Sequence, residues 1–281
     1  MQQNHEQDDP LQSGGEGHVP DRESVGQRIE EGAEKVVEEA KEEVAAARRP
    51  WYQTLRWGSA LVLVHTFLLA FFGLLAWWVY LHPVLALDIT ITRVFQENQS
   101  PWLRFIMIAV SSIGNVLVLS AGLVALAAVI FWLVDLRLEA ITIVVVCVTS
   151  GMLDTLIKSI VARPRPTANL VDIITAATGS SFPSGHVMSY VAFWGLLFFF
   201  GIILFKGYHW WRTALLILSG LLVALVGPSR VYLGDHWTSD VLGAYLLGGV
   251  CLGIWLWLYL YVRGKGVLAP RPTKAPLRKE S

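Results

Sequence analysis

Residues 213–262 read TALLILSGLLVALVGPSRVYLGDHWTSDVLGAYLLGGVCLGIWLWLYLYV. Two apolar runs flank a polar stretch, Ser229–Asp240, that holds an Arg, a His and two Asp. Each run is long enough to cross a bilayer as a helix. Charged groups at membrane depth are costly and are usually kept for a function. The stretch therefore predicts a membrane hairpin with a chemically active turn, and the rest of the chain must supply its partners.

The whole composition agrees with a membrane chain. Of 281 residues, 54% are hydrophobic and only 16% are charged, with the apolar residues gathered in long runs. The pattern predicts an all-α integral membrane protein with six transmembrane helices, near 57–81, 113–134, 140–162, 186–205, 213–232 and 239–262. The stretch between the first two, HPVLALDITITRVFQENQSPWLRF, reads as an interfacial loop, with a tilted interfacial helix possible from Pro101. Three regions are expected: a polar acidic leader (1–50), disordered and then helical, a membrane domain (51–265) and a basic tail (266–281). No cleavable signal peptide is evident, so the first apolar run is expected to direct insertion. Cys147 and Cys251 both lie in apolar runs and read as core residues, not as a disulfide or metal pair.

A net charge of zero hides an asymmetry. Residues 1–50 carry 13 acidic and 6 basic side chains, while the remainder carries 9 acidic and 16 basic. Arg48, Arg49, Arg56, Arg137, Lys206, Arg212, Arg263, Lys265 and the tail cations fall on one side of a six-span topology, which makes that side and both termini cytoplasmic. The expected location is the plasma membrane. Lys158, Arg163, Arg165 and Arg230 lie on the other, extracytoplasmic side, so something besides topology requires them.

Three pieces meet at that outer face. KSIVARPRP brings Lys158 and Arg165; SFPSGH brings Ser184, Gly185 and His186; the opening stretch brings Arg230, His236 and Asp240. Ser184 suits a helix N-cap, Gly185 permits close backbone approach, and a helix start attracts anions. Gly227–Pro228 reads as a helix break before Ser229. His236 and Asp240 are four apart on a helix expected to begin near Trp237, where the carboxylate can fix the imidazole tautomer and free its other nitrogen to attack. A lone His–Asp pair is more often a structural hydrogen bond, but three cations and a helix start beside it favour phosphoryl transfer. Asp88, Glu97, Asp172, Asp235 and Asp240 are scattered along the outer loops, which disfavours a metal-dependent phosphatase; no cofactor is expected.

Lys158-x6-Arg165-Pro166, Pro183-Ser184-Gly185-His186 and Ser229-Arg230-x5-His236-x3-Asp240 resemble the three-part signature of the type 2 phosphatidic acid phosphatase family. The resemblance covers roughly residues 55–262. It implies a six-helix membrane phosphatase that needs no metal, with His236 forming a phosphohistidine, Asp240 orienting it and His186 protonating the leaving oxygen. Lys158, Arg165, Ser184, Gly185 and Arg230 would hold the phosphate. The partners implied are the bilayer and a lipid phosphate (phosphatidic acid, phosphatidylglycerol phosphate or an isoprenyl diphosphate), with no nucleic acid. A lipid phosphotransferase and a non-enzymatic binding protein or transporter are the alternatives on this scaffold. Asp154, four residues before Lys158, is expected to pair with it. Arg163 is expected to supplement the phosphate site or meet lipid headgroups.

Overall fold

The computed structural model describes residues 57–266 apart from Val116, together with the side chains of 60–113 and 120–266. The acidic leader (1–50) and the tail beyond residue 266 lie outside the described residues. Among the described residues every regular element is a helix: α1 (Trp57–Leu81), α2 (Ala86–Gln96), α3 (Pro101–Asn115), α4 (Leu117–Leu133), α5 (Arg137–Val161), α6 (Gly185–Ile203), α7 (Trp210–Tyr232) and α8 (Thr238–Gly264). By length and apolar composition α1, α5, α6, α7 and α8 can each cross a membrane. The apolar α4 is shorter, at 17 residues.

Two sequence expectations change. The stretch read as an interfacial loop forms α2 over Ala86–Gln96, where Asp88, Thr92 and Gln96 recur every four residues on one buried face. That polar face made the segment look like a loop, yet its 3.6-residue period is helical. Pro228 does not end α7, which runs through it to Tyr232. Gly234, at φ +74°, makes the turn instead, and a Cβ there would sit 2.2 Å from the Asp172 carbonyl oxygen.

Packing follows the usual membrane logic of small residues at close approaches. The Gly253 position on α8 would place a Cβ 2.3 Å from His65 Nε2 on α1, and the Gly243 position would place one 2.6 Å from the Phe182 ring. Val79, Ile143, Phe182, Leu196, Phe200 and Ala244 belong to the buried core. Val62, Phe67, Trp77, Val129, Leu156 and Ile160 lie exposed on outward faces, as lipid contact requires. Of the five spans α6 is the most enclosed and α1 the least. Helix α6 also carries a π-helical turn, Val191–Gly195, between its two α-helical halves.

At one end of the bundle, α2 ties two loops together. Gln96 Nε2 donates to the carbonyls of Asp172 (2.7 Å) and Tyr232 (2.9 Å), and its Oε1 accepts from Asp172 N at 3.0 Å. Ile174 N donates to Leu233 O at 3.0 Å, joining the α5–α6 and α7–α8 loops directly. These loops carry Arg163, Arg165, Ser184 and His236, and the helix ends that flank them carry Lys158, Gly185, His186, Arg230 and Asp240. Gln96→Ala would leave three backbone groups, one buried and two half-buried, without this partner. The expected result is a loss of about 2 kcal/mol, read as a lowered thermal midpoint in detergent.

Candidate active site

The tightest polar cluster centres on Arg163, which is 1% exposed. Its Nε donates to Pro83 O at 2.8 Å, one amino group to Asp88 Oδ2 at 2.8 Å, and the other to Ser239 Oγ at 2.7 Å and Asp240 Oδ1 at 2.5 Å. Neither lipid headgroups nor phosphate can reach it, which overturns the expectation for this residue. Asp88 also accepts from Ser239 N at 2.9 Å, one of the otherwise free donors at the start of α8. Asp88 and Asp240, scattered in sequence, are thus two carboxylates on one guanidinium.

Asp240 holds the neighbourhood of His236 more than the imidazole itself. Its Oδ2 accepts from Trp237 N at 2.9 Å and from the Ser181 hydroxyl. From His236 Nδ1 that oxygen is 3.6 Å, beyond a good hydrogen bond. His236 Nδ1 instead donates to Ser181 O at 2.8 Å. The tautomer-fixing partner is therefore a backbone carbonyl on the SFPSGH segment, with Asp240 steering through Ser181 and the α8 start. With Nδ1 protonated, Nε2 carries a lone pair, and it lies 3.2 Å from an Arg165 amino group. Burial pulls the His236 pKa down to about 4, with Asp240 opposing and Arg165 and Arg230 adding to the shift.

The three expected phosphate cations differ in their present partners. Arg165 donates to the carbonyls of Thr178 and Gly179 (both 3.1 Å) and Asp235 (2.8 Å), and the residue forms no ion pair within 4.0 Å among the described residues. Burial lowers its pKa, with Asp235 opposing. Arg230 is paired with Asp235 at 2.8 Å and also donates to Ser111. Burial raises the Asp235 pKa, opposed by Arg230 and a 2.7 Å hydrogen bond from Thr175. Lys158 is paired with Asp154 at 2.7 Å, as expected.

The SFPSGH segment enters α6 through a cis Phe182–Pro183 bond. Ser184 occupies the N-cap position, but its hydroxyl makes no capping bond and is buried without a partner. His186 Nε2 and Arg230 Nε are buried and unpartnered in the same way. His186 lies within electrostatic reach of Lys158, Arg165, Arg230 and His236. At Gly185 the close neighbour is a side-chain pair: a Cβ would sit 2.8 Å from Lys158 Nζ and 3.0 Å from Asp154 Oδ2. Unpartnered buried polar atoms are unusual in a folded protein and mark places where a ligand can complete the bonding. The structure gathers the eight residues picked from the sequence at one end of the bundle and sets Asp88, Ser111, Thr175, Ser181, Asp235 and Ser239 beside them. No group of three or more His, Cys, Asp or Glu is placed to hold a metal ion among the described residues.

A family model described as the PAP2 superfamily matches residues 139–264, which run from the start of α5 to the end of α8. Phosphatidylglycerophosphatase B of Bacillus subtilis (strain 168) is 30% identical over 184 residues, 64% of this chain and 87% of that protein. Lipid phosphate phosphatase delta of Arabidopsis thaliana is 32% identical over 111 residues, 36% of this chain and 26% of that protein. The fold is similar to the crystal structure of a transmembrane PAP2-type phosphatidylglycerolphosphate phosphatase from Bacillus subtilis, with a TM-score of 0.57 and 24% identity. That likeness covers 69% of this chain and 94% of that one.

Two outcomes follow from the geometry. Arg163→Ala would bury two uncompensated carboxylates, a loss of about 3–5 kcal/mol in thermal or denaturant unfolding, and Arg163→Lys would recover little because an ammonium cannot span the fork. The second concerns acid. The His236 pKa is lower in the folded chain (about 4) than the ordinary 6.5, so below 6.5 the unfolded chain binds the extra proton. Stability from this residue is whole above pH 6.5 and is lost as pH falls through about 4. His236→Gln should flatten that part of the stability profile, measured by thermal midpoints across the acid range.

Proposed function

The chain belongs to the PAP2 superfamily and is a membrane phosphatase of that type, and we propose that it removes phosphate from a membrane lipid through a phosphohistidine formed on His236. The observation that carries this reading is the set of unpartnered buried atoms, Ser184 Oγ, His186 Nε2 and Arg230 Nε, beside an imidazole whose Nε2 bears a lone pair. Arg165, now donating toward that nitrogen, would turn its donors to the phosphate oxygens. Lys158, Arg230, the Ser184 hydroxyl and the Gly185 amide at the α6 start would complete the cradle. His236 Nε2 attacks phosphorus while the bond to the lipid oxygen breaks, and His186 supplies that oxygen with a proton. A phosphate dianion alongside favours the protonated imidazole that this step needs. Water then attacks phosphorus, His186 takes one of its protons, and the P–N bond breaks. Charge neutralisation by side-chain cations supplies what a metal otherwise would, so the reaction is proposed to be metal-independent.

Phosphatidylglycerol phosphate is the substrate this reading puts first, on the likeness to phosphatidylglycerophosphatase B over most of that protein's length. The membrane phosphatase domain would occupy residues 51–265, with α4 as a sixth crossing. At 17 residues α4 spans about 26 Å, at the short end of what a bilayer accepts. Six crossings with the Lys/Arg distribution put both termini in the cytoplasm and the site on the extracytoplasmic face of the plasma membrane.

Purified protein assayed on lipid phosphates in chelator should remain active, and a magnesium-reversible loss would overturn the metal-free chemistry. Labelled phosphate should be trapped on His236, and His236→Ala should abolish turnover of every substrate. His186→Ala should cost about 10²–10⁴-fold on a lipid monoester, whose alkoxide leaves poorly, and far less on nitrophenyl phosphate. Equal losses on both, with chemistry rate-limiting, would remove His186 from the acid role. For topology, a cysteine placed in 167–180 should react with an impermeant reagent in intact cells. Labelling only after lysis would invert the orientation.

A further inference from the structure

Counted together, the polar network at this end of the bundle holds four cations, Lys158, Arg163, Arg165 and Arg230, and four carboxylates, Asp88, Asp154, Asp235 and Asp240. With neutral histidines it carries no net charge to greet a dianion. Three of the carboxylates are committed. Asp88 and Asp240 share Arg163, and Asp235 holds both Arg230 and Thr175. Asp154 differs. Its Oδ2 has Lys158 and its Oδ1, like that of Asp235, is buried with no partner, but its side chain is 13% exposed with Lys158 beside it at 24%, against 1% for Asp235 and 2% for Arg230. The pair lies against Gly185, at the start of α6 where the phosphate is proposed to sit.

We propose that the substrate phosphate displaces Asp154 from Lys158 and that Asp154 takes up a proton in the exchange, which makes it a specificity-determining residue for the charge of the substrate. The inference rests on the phosphatase reading above. Once the ammonium turns to the phosphate, an ionised Asp154 would have neither oxygen partnered while facing a dianion, the arrangement that most favours protonation of a carboxylate. The proton comes from solvent past the partly exposed Lys158 side chain and ends on Asp154; no bond to phosphorus changes. As a carboxylic acid, Asp154 becomes a donor to the bound phosphate. The groups around it cannot serve equally. Helix α4 carries no titratable side chain, α1 offers only His65 beside Gly253 and an exposed Tyr80, and Asp240 on α8 is held by Arg163. Arg165 adds a positive charge, and His186 and Tyr190 are the titratable groups of the upper half of α6. A phosphate that arrives as a monoanion brings its own proton and avoids the uptake, so the site favours monoanions over dianions.

Tungstate tests this directly, as a tetrahedral dianion that does not titrate near neutral pH. Calorimetric titration of the whole protein with tungstate, in two buffers of different ionisation enthalpy, counts protons taken up. Wild type should take up about one proton more than Asp154→Asn, beyond any that His186 gains beside the anion, with the dissociation constant weakening by up to about a further tenfold per unit rise in pH. Asp154→Asn, near in shape and uncharged, should take up about one proton fewer, bind tungstate more tightly and lose that part of the pH dependence. Binding by wild type with no proton uptake would overturn the proposal without touching the phosphatase reading. So would equal uptake in wild type and Asp154→Asn, which would move the proton to another group. No tungstate binding together with no phosphate release from any lipid would remove the phosphatase reading itself.

Discussion

The end of the bundle that holds the polar cluster depends on one guanidinium. Arg163 is fully enclosed and uses its donors on Pro83, Asp88, Ser239 and Asp240, so a single side chain joins the loop after α1, the first turn of α2, the loop after α5 and the start of α8. An Arg suits this because its fork is planar and permanently charged, and two carboxylates can divide it. A buried ion pair adds little net stability over a well-packed apolar core, but it fixes geometry and is costly to break. Here the geometry fixed is that of Asp240, and through Trp237 and Ser181 that of His236.

Much of this was legible in the chain. Long apolar runs report helices directly, and the observed bounds of α1, α5, α6, α7 and α8 lie within three residues of the expected spans. The residues proposed for the phosphate site were picked from the chain because cations and histidines expected on the less basic side of a membrane protein have few other reasons to be there. What was hidden lay in amphipathic or uncharged positions. Helix α2 has the composition of a loop, and only its buried Asp88, Thr92 and Gln96 at a helical spacing gave it away. Ser181 is indistinguishable in sequence from any loop serine; its part depends on a fold that brings it to His236 and Asp240. The His–x3–Asp spacing suggested a direct bond because both residues were assigned to one helix. His236 in fact precedes α8, and that displacement lets the Ser181 carbonyl come between.

The polar residues also divide by duty. Those around Arg163 are saturated and dry, and they behave as structure. Those around Ser184, His186 and Arg230 keep atoms in reserve, which a folded chain tolerates only where something else completes the bonding. The two sets touch at Asp240, whose backbone carbonyl accepts from Ser184 N at 3.2 Å while its side chain belongs to the Arg163 fork.

The π-helical turn at Val191–Gly195 lies between the two ends of α6. It accommodates one residue more than the same length of α-helix would, so the helix has two phases. Below it Leu196, Leu197 and Phe200 face the core, and above it Val187, Met188 and the His186 backbone keep a separate alignment. A residue-by-residue alignment of this chain with a relative whose corresponding helix is purely α-helical would need a one-residue gap inside Val191–Gly195. Without the gap, one half of α6 would be matched a position out of step, and side chains that point about 100° apart around the axis would be scored as equivalents.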